Sequence, residues 1–416
     1  RYACDGLSNQ RLDSPFIKYN GKFEKASWDE VFKIIKSKLN ETSKDKIAGF
    51  VGDMMNMESS YIFKEFFDRT LNAKNYESRS SNNFINTNER ENYLFNSSIN
   101  GIEESDLIFL IGTNPRFEAT ILNARIRKTF VNNSTKIISL NDVGDLTYPY
   151  EPLDSKTKTI LDIFEGNNEV SKKILDSKKP LIILGDSFYK LQSAELLFNL
   201  IKEFLKKNNK INNEWNSLNT LVTDASTVGS LDLKIINDKK DIFSDLQANK
   251  FEIIYLLGQD NLDFIKKNEF IIYQGSHGDK GAEIADIILP GAAYTEQNGY
   301  FTNLEGKVQK AFKASYPPGE AKEDWQIINE LAEFMNNRKL FNDKDELESS
   351  MFNFISLQHE NKDETKKITS KENFKDERLV VEYKNYYFSN VIARSSKTML
   401  DCHNSKIEVK KTGTDG

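Results

Sequence analysis

Three glycines at GxxGxxG spacing, Gly275, Gly278 and Gly281, enclose one histidine and one aspartate, His277 and Asp279. Further along, the loop Asn-Leu-Glu-Gly-Lys supplies Asn303, Glu305 and Lys307. Closely spaced glycines let a backbone approach a ligand, and an imidazole beside a carboxylate can move a proton. Asn303 and Glu305 could bond each other or a bound nucleotide, because polar groups buried in such a loop must find partners. Each of these chemistries meets a limit in the sequence. A dinucleotide fingerprint needs GxGxxG followed by a helix; here the spacing differs, and the next segment, Ala282–Pro290, is expected to be a strand. No GxxxxGK[ST] phosphate loop occurs. A histidine with no visible nucleophile or paired base is expected to be a loop histidine bonded to backbone.

Metal chemistry has few ligands to draw on. The cysteines are Cys4 and Cys402, and the histidines are His277, His359 and His403. No CxxC or finger spacing is present. An iron–sulfur cluster usually takes four thiolates, so the expectation is that this chain holds neither a cluster nor molybdenum.

The elements that would position these residues follow a repeated pattern. Four apolar runs end in glycine and small polar residues: Ala48–Met54, Leu107–Asn114, Leu181–Ser187 and Ile253–Asp260. They are apolar throughout, as strands buried on both faces of a parallel sheet are. Helical spacing follows three of them, at Ser59–Leu71, Phe117–Phe130 and Lys190–Lys207. The pattern predicts an α/β fold of parallel-rich sheets with flanking helices and several subdomains. The four strands should point their carboxyl ends at a common cleft, where open sheets bind ligands. The expected divisions are a leading segment 1–45, a first α/β subdomain 46–150 and a second 151–265. Residues 266–340 should return to the first with both loops, leaving a charged helical linker and aromatic tail in 341–416. Around that last boundary, Asp324–Asn337 and Asp345–Gln358 read as helices, and His359–Arg378 as a solvated helix, loop or linker. The tail Val380–Met399 should dock on a neighbouring surface or close the chain's own core.

Composition narrows the function classes. A net charge of -6 over 416 residues argues against a nucleic-acid-binding surface. The longest apolar runs are strand-sized, well short of the ~20 residues of a spanning helix, so membrane contact is expected to pass through a partner. The chain begins at Arg1 rather than methionine, and something is expected to precede it or to have been removed.

The segment ADIILPGAAYTEQNGYFTNLEGKVQ, Ala285–Gln309, resembles the signature of the molybdopterin oxidoreductases. More narrowly, the chain is similar to the C-terminal region of the large iron–sulfur subunit of respiratory complex I. Ile111–Lys128 (IGTNPRFEATILNARIRK), Arg1–Pro15 with Ser27-Trp28, Gln274–Gln297 and Pro317–Ile328 carry that likeness, with a looser match at Phe388–Cys402 and a weak one over Glu151–Lys250. The resemblance implies a molybdo-enzyme-like scaffold without molybdenum, in the NADH-oxidising arm on the matrix side of the mitochondrial inner membrane. Its partners would be other peripheral-arm subunits. Iron–sulfur clusters would belong to a cysteine-rich half preceding this segment, or to a separate chain if the subunit is split. In that reading Gly275, His277, Gly278, Asp279, Gly281, Asn303 and Glu305 form a vestigial motif without a ligand, and no residue is catalytic. The alternative is an active molybdopterin-dependent oxidoreductase. The loop region Glu77–Ser98, where active relatives place a metal ligand, has serines but no cysteine.

Overall fold

A computed structural model describes residues 3–237, 241–360 and 374–411. Two sheets organise them. The first has seven strands: β1 (Phe16–Tyr19), β2 (Lys22–Lys25), β3 (Ile47–Val51), β4 (Asn75–Glu77), β10 (Ile253–Leu257), β11 (Phe270–Gly275) and β12 (Ile287–Pro290). Their order is β2-β1-β12-β11-β10-β3-β4. The run from β12 to β4 is parallel, and β1 and β2 add an antiparallel edge. The second sheet is parallel throughout, with β5 (Leu107–Ile111), β6 (Lys136–Ser139), β7 (Glu151–Pro152), β8 (Pro180–Leu184) and β9 (Leu218–Thr220) in the order β7-β6-β5-β8-β9. A hairpin of β13 (Gly299–Thr302) and β14 (Val308–Ala311) stands apart.

The four glycine-ended runs are β3, β5, β8 and β10, each buried at every position. Successive side chains point to opposite faces, so each strand feeds two cores. Ile253, Tyr255 and Leu257 join one cluster with Phe63, Phe66, Ile328 and Leu331, while Ile254 and Leu256 join another with Leu246, Tyr273 and Ala282. In the second sheet Phe109 and Ile111 pack with Ile163 and Leu197, whereas Ile108 and Leu110 pack with Ile126 and Trp215. Helices on both faces are what forces these strands to be apolar throughout.

The glycines serve the turns that follow. Gly258 has φ +58°, and a Cβ on Gly52 would stand 1.7 Å from the Gly258 carbonyl oxygen. Adjacent turns of β3 and β10 therefore approach each other more closely than any side chain permits. The helix expected from Ser59 begins at Met57 behind the Asn56 cap, whose Oδ1 accepts from Ser59 N at 2.8 Å, and becomes a π-helical turn over Phe66–Leu71. One expectation is corrected. The segment after the glycine motif is not simply a strand: Lys280–Ile284 is a short helix, and β12 begins only at Ile287. The Asp260 carboxylate accepts from Gly281 N at 2.9 Å and helps fix that turn.

Helices Asp324–Asn336 and Lys344–Glu360 follow. Much of the charged segment His359–Arg378 lies outside the described residues, which omit 361–373. The tail closes on its own chain. Leu379, Ile392, Ala393 and Met399 are buried, and the tail runs from the rim of the second sheet to the glycine loop of the first.

Candidate functional site

The carboxyl ends of both sheets open on one cleft. β3 delivers Asp53 and Met54, β10 delivers Gln259 and Asn261, β5 leads to Glu118, β8 to Asp186, and β9 to Thr223 and Asp224. Two adjoining cavities, of about 100 and about 550 Å³, share Asp53, Asp186 and Asp224 in their walls. A carboxylate follows the glycine of three of these strands, directly in Gly52-Asp53 and Gly185-Asp186 and one residue later in Gly258-Gln259-Asp260.

The cleft is acidic, and its cations are already engaged. Lys384 Nζ lies 2.6 Å from Asp224 Oδ1 and 3.3 Å from Asp53 Oδ2. Burial raises the Asp224 carboxyl above its ordinary range; Lys384 opposes this and Asp53 adds to it. Burial alone would lower the Lys384 ammonium, but Asp224 and Asp53 outweigh it and hold it above its usual value. Lys190 is shared between Asp186 at 3.2 Å and Glu382 at 3.4 Å. Glu118 Oε2 accepts from Thr113 Oγ1 at 2.7 Å and from Asn114 N, while its Oε1 is buried without a partner. Burial pushes this carboxyl up to about 7 against those two hydrogen bonds. By position and protonation Glu118 is the group an acid–base mechanism would choose here.

The glycine motif sits at the first sheet's edge and is covered by the chain itself. Gly275 and Gly281 have no room for a side chain, because a Cβ on either would lie within 2.6 Å of the Tyr273 side chain. Gly278 is less crowded, and its N–H donates to Gln10 O at 2.8 Å. His277 is fully buried, with Nε2 2.8 Å from Gly6 O and Nδ1 2.8 Å from Ser276 Oγ. Burial lowers its pKa to about 4, so it is neutral at physiological pH. Asp279 Oδ2 pairs with Arg394 at 2.6 Å.

Asn303 and Glu305 are placed elsewhere, at the tip of the β13–β14 hairpin, and share no hydrogen-bond partner with the glycine loop. Asn303 Oδ1 accepts from Glu305 N at 3.0 Å and Lys307 N at 2.9 Å. Glu305 Oε1 accepts from Ile99 N at 2.8 Å, and its other oxygen meets Lys307 Nζ at 3.0 Å. Leu304 O receives Phe95 N at 2.9 Å, so this tip fastens to the segment leading into the second sheet. The cleft residues Asp53, Glu118, Asp186, Asp224 and Lys384 were not singled out by sequence reasoning. The recurring glycine–aspartate pairs were the available signal for Asp53 and Asp186.

The buried histidine gives a pH-dependent expectation. Its folded pKa lies below the unfolded value of ~6.5, so between pH ~6.5 and 4 the unfolded chain binds the extra proton. Stability from this group is therefore present above pH 6.5 and is lost as pH falls towards 4, by about 3 kcal/mol at most. Buried carboxylates such as Asp260, raised to about 7 by burial, titrate in the opposite sense. The readable quantity is thus the difference between wild type and His277→Gln. Urea unfolding should show wild type's advantage shrinking as pH falls from 6.5 to 4; a constant difference would contradict a neutral, buried imidazole.

Comparison with known proteins places this geometry. Residues 11–334 match the family model for molybdopterin oxidoreductase, and residues 346–402 match that for the C-terminal part of NADH-ubiquinone oxidoreductase G. The NADH-ubiquinone oxidoreductase 75 kDa subunit of Reclinomonas americana is 38% identical, over 97% of this chain and 61% of its own length. The NADH-quinone oxidoreductase G component of Rickettsia bellii is 37% identical, over 99% of this chain and 60% of its own. The mitochondrial 78 kDa subunit of Candida albicans is 37% identical, over 97% and 58%. The chain thus spans about three-fifths of the length of the curated relatives it matches. Among solved structures, a chain of the formyltransferase/hydrolase complex from Methylorubrum extorquens shares the fold, with a TM-score of 0.57 and 12% identity over 78% of this chain and 99% of that one.

These relatives correct the expectation that the chain brings no cofactor of its own. They are the 75 and 78 kDa subunits, an iron–sulfur cluster-binding subunit. The expectation rested on counting thiolates in a sequence shorter than the relatives, and such a count does not speak for the subunit. Among the described residues, Cys4 and Cys402 are exposed and no group of three or more His, Cys, Asp or Glu side chains is placed to hold a metal.

A molybdopterin is a different matter, because its phosphate is anionic. The cleft offers it Asp53, Glu118, Asp186, Asp224 and Glu382, against Lys190 and Lys384, both already ion-paired. Arg79 lines the smaller cavity, but its guanidinium is engaged by Glu77 at 2.7 Å and the Asn83 carbonyl at 2.7 Å, leaving only Nε unbonded. This donor set does not fit a phosphate-bearing pterin. The fold and the two family matches agree nonetheless: the chain belongs to the molybdopterin oxidoreductase family and carries, after that domain, the C-terminal domain of NADH-ubiquinone oxidoreductase G.

Proposed function

We propose that the chain is a subunit, or part of one, of the NADH-oxidising peripheral arm of respiratory complex I. There it supports electron transfer from NADH to ubiquinone as a scaffold rather than as a site of bond-making chemistry. The observation that carries this reading is the coincidence of two things in one segment. Residues 346–402, which match the C-terminal NADH-ubiquinone oxidoreductase model, include the tail whose Lys384 and Tyr383 line the cleft. Its partners are other peripheral-arm subunits. Two relatives are described as mitochondrial, those of Candida albicans and Neurospora crassa, which supports a mitochondrial location; the finer placement we propose is the matrix side of the inner membrane. Among the described residues no helix is long and apolar enough to cross a membrane, and in this reading membrane contact passes through partner subunits.

Two substitutions test it. Glu118→Gln and His277→Gln remove the two groups an acid–base mechanism would use while keeping their size and hydrogen-bonding capacity. NADH:quinone activity, divided by the amount of assembled complex on native gels, should stay near wild type for both. A variant that assembles fully yet loses nearly all turnover would show that this chain performs chemistry.

A further inference from the structure

The carboxyl edge of an open α/β sheet is where ligands bind, and here a peptide lies across it. The tail is anchored at three places. On the second sheet's rim, Leu379 N donates to Ser155 O at 2.8 Å, Glu382 N donates to Ser187 Oγ at 2.9 Å, and the Tyr383 ring stacks on Phe117 at 4.6 Å between centroids and 10° between planes. In the middle, Lys384 reaches Asp224, which follows β9 of the second sheet, and Asp53, which follows β3 of the first. At the far end Arg394 pairs with Asp279, and the Ile392 carbonyl lies so close to Gly6 that a Cβ there would stand 2.0 Å from its oxygen.

We infer that residues 380–396 are the built-in occupant of the cleft, a peptide clamp whose Lys384 joins the carboxyl edges of the two sheets. The charge pattern requires such an occupant. Asp53, Asp186 and Asp224 face one space, and like charges so placed repel one another. A cation among them relieves the repulsion, and Lys384 is the cation that contacts an acid from each sheet. Because the strap is fastened on both sides of the cleft, its ammonium is presented at the high effective concentration of an intramolecular ligand. The remaining space of about 550 Å³ is walled partly by the strap itself, through Glu382, Tyr383, Tyr386 and Asn390. Neither the clamp nor its test depends on which complex contains the chain.

Hydrogen exchange on the full-length polypeptide, as purified, tests the clamp. In wild type, amides of 380–396 should be protected together with the loops 53–55 and 223–226. Lys384→Glu should speed exchange about tenfold or more in the strap and in both loops, while β5 and β10 keep their protection. Lys384→Arg should keep the wild-type pattern. Lys397→Glu, the same charge change at an exposed position whose ion pair is with Asp401 on its own helix, should change none of these segments. Should Lys384→Glu fail to fold, Tyr383→Ala removes the stack on Phe117 and should loosen the same three segments together. The inference is overturned if the wild-type strap exchanges as fast as unstructured peptide. It is equally overturned if the strap is released by either variant while both loops stay protected.

Discussion

Replacing Leu110 with aspartate will remove most of the folded chain. Leu110 is 1% exposed in β5, in register with Ser139 of β6 and Ile183 of β8, and packs with Ile108, Leu181 and Trp215. The change forfeits roughly 1.5–3 kcal/mol of apolar burial. It also places a carboxylate among apolar side chains, at a further cost of several kcal/mol. Together these approach the ~5–15 kcal/mol that holds a typical domain folded. Thermal unfolding should show a large drop, and native gels should show little assembled complex. Activity per assembled complex should nonetheless stay near constant, because the loss is one of folding. Ile121→Asp is the matched control, since Ile121 is 76% exposed and should tolerate the charge. A Leu110→Asp chain that unfolds like wild type would refute the buried parallel sheet.

The second large effect is expected at Arg11. Its guanidinium meets the Glu296 carboxylate in a two-pronged pair, with Nη2 to Oε2 at 2.6 Å, and both side chains are less than a tenth exposed. Nε donates to Ser276 O at 2.9 Å, and Ala293 N donates to Glu296 at 2.9 Å. The pair therefore ties the leading segment to the glycine loop and to the turn after β12. Arg11→Met leaves the Glu296 side chain nearly enclosed without its guanidinium partner, and breaking such a pair typically costs ~3–5 kcal/mol. Adding Glu296→Leu should recover much of the loss, because an apolar pair of similar volume often substitutes for a buried ion pair. Urea unfolding of both single variants and the double variant gives the coupling. Single variants that each cost less than about 1 kcal/mol would mean the pair behaves like a surface salt bridge.

The parts legible in the sequence are those whose burial is complete. β3, β5, β8 and β10 announce themselves because helices cover both faces, so every position must be apolar and the turn must be glycine. The antiparallel edge was missed. β2 is exposed at all four positions, so burial imposes no alternation on it; the signal that was there, Asn20-Gly21 with both residues at positive φ in the two-residue turn between β1 and β2, went unread. The turn at Lys280–Ile284 was missed because tertiary groups hold it, with Asp260 bonding Gly281 N and Tyr273 crowding the same residue. Of the cleft, Asp53 and Asp186 were visible as residues beside a glycine, but nothing local says that two different sheets present them to one space. Lys384 was beyond reach of any local rule. It stands 160 residues from Asp224 and 331 from Asp53, and only the completed fold brings the three together.

The strand order has a consequence for how the chain is made. β3 and β4 emerge early, yet the partner of β3, β10, emerges only after every strand of the second sheet. The second sheet can close on itself as it leaves the ribosome, since its five strands are consecutive in sequence. The first cannot, and at roughly 5–20 residues per second its half-built edge waits on the order of 10–40 s for a neighbour. During that interval β3, which can pair with β4 on one side, leaves its other side open, an apolar edge of the kind that recruits other chains. Holding factors should therefore be needed most while the second sheet is being made, and ribosomes slowed between 220 and 250 should yield more aggregate than ribosomes slowed after 290.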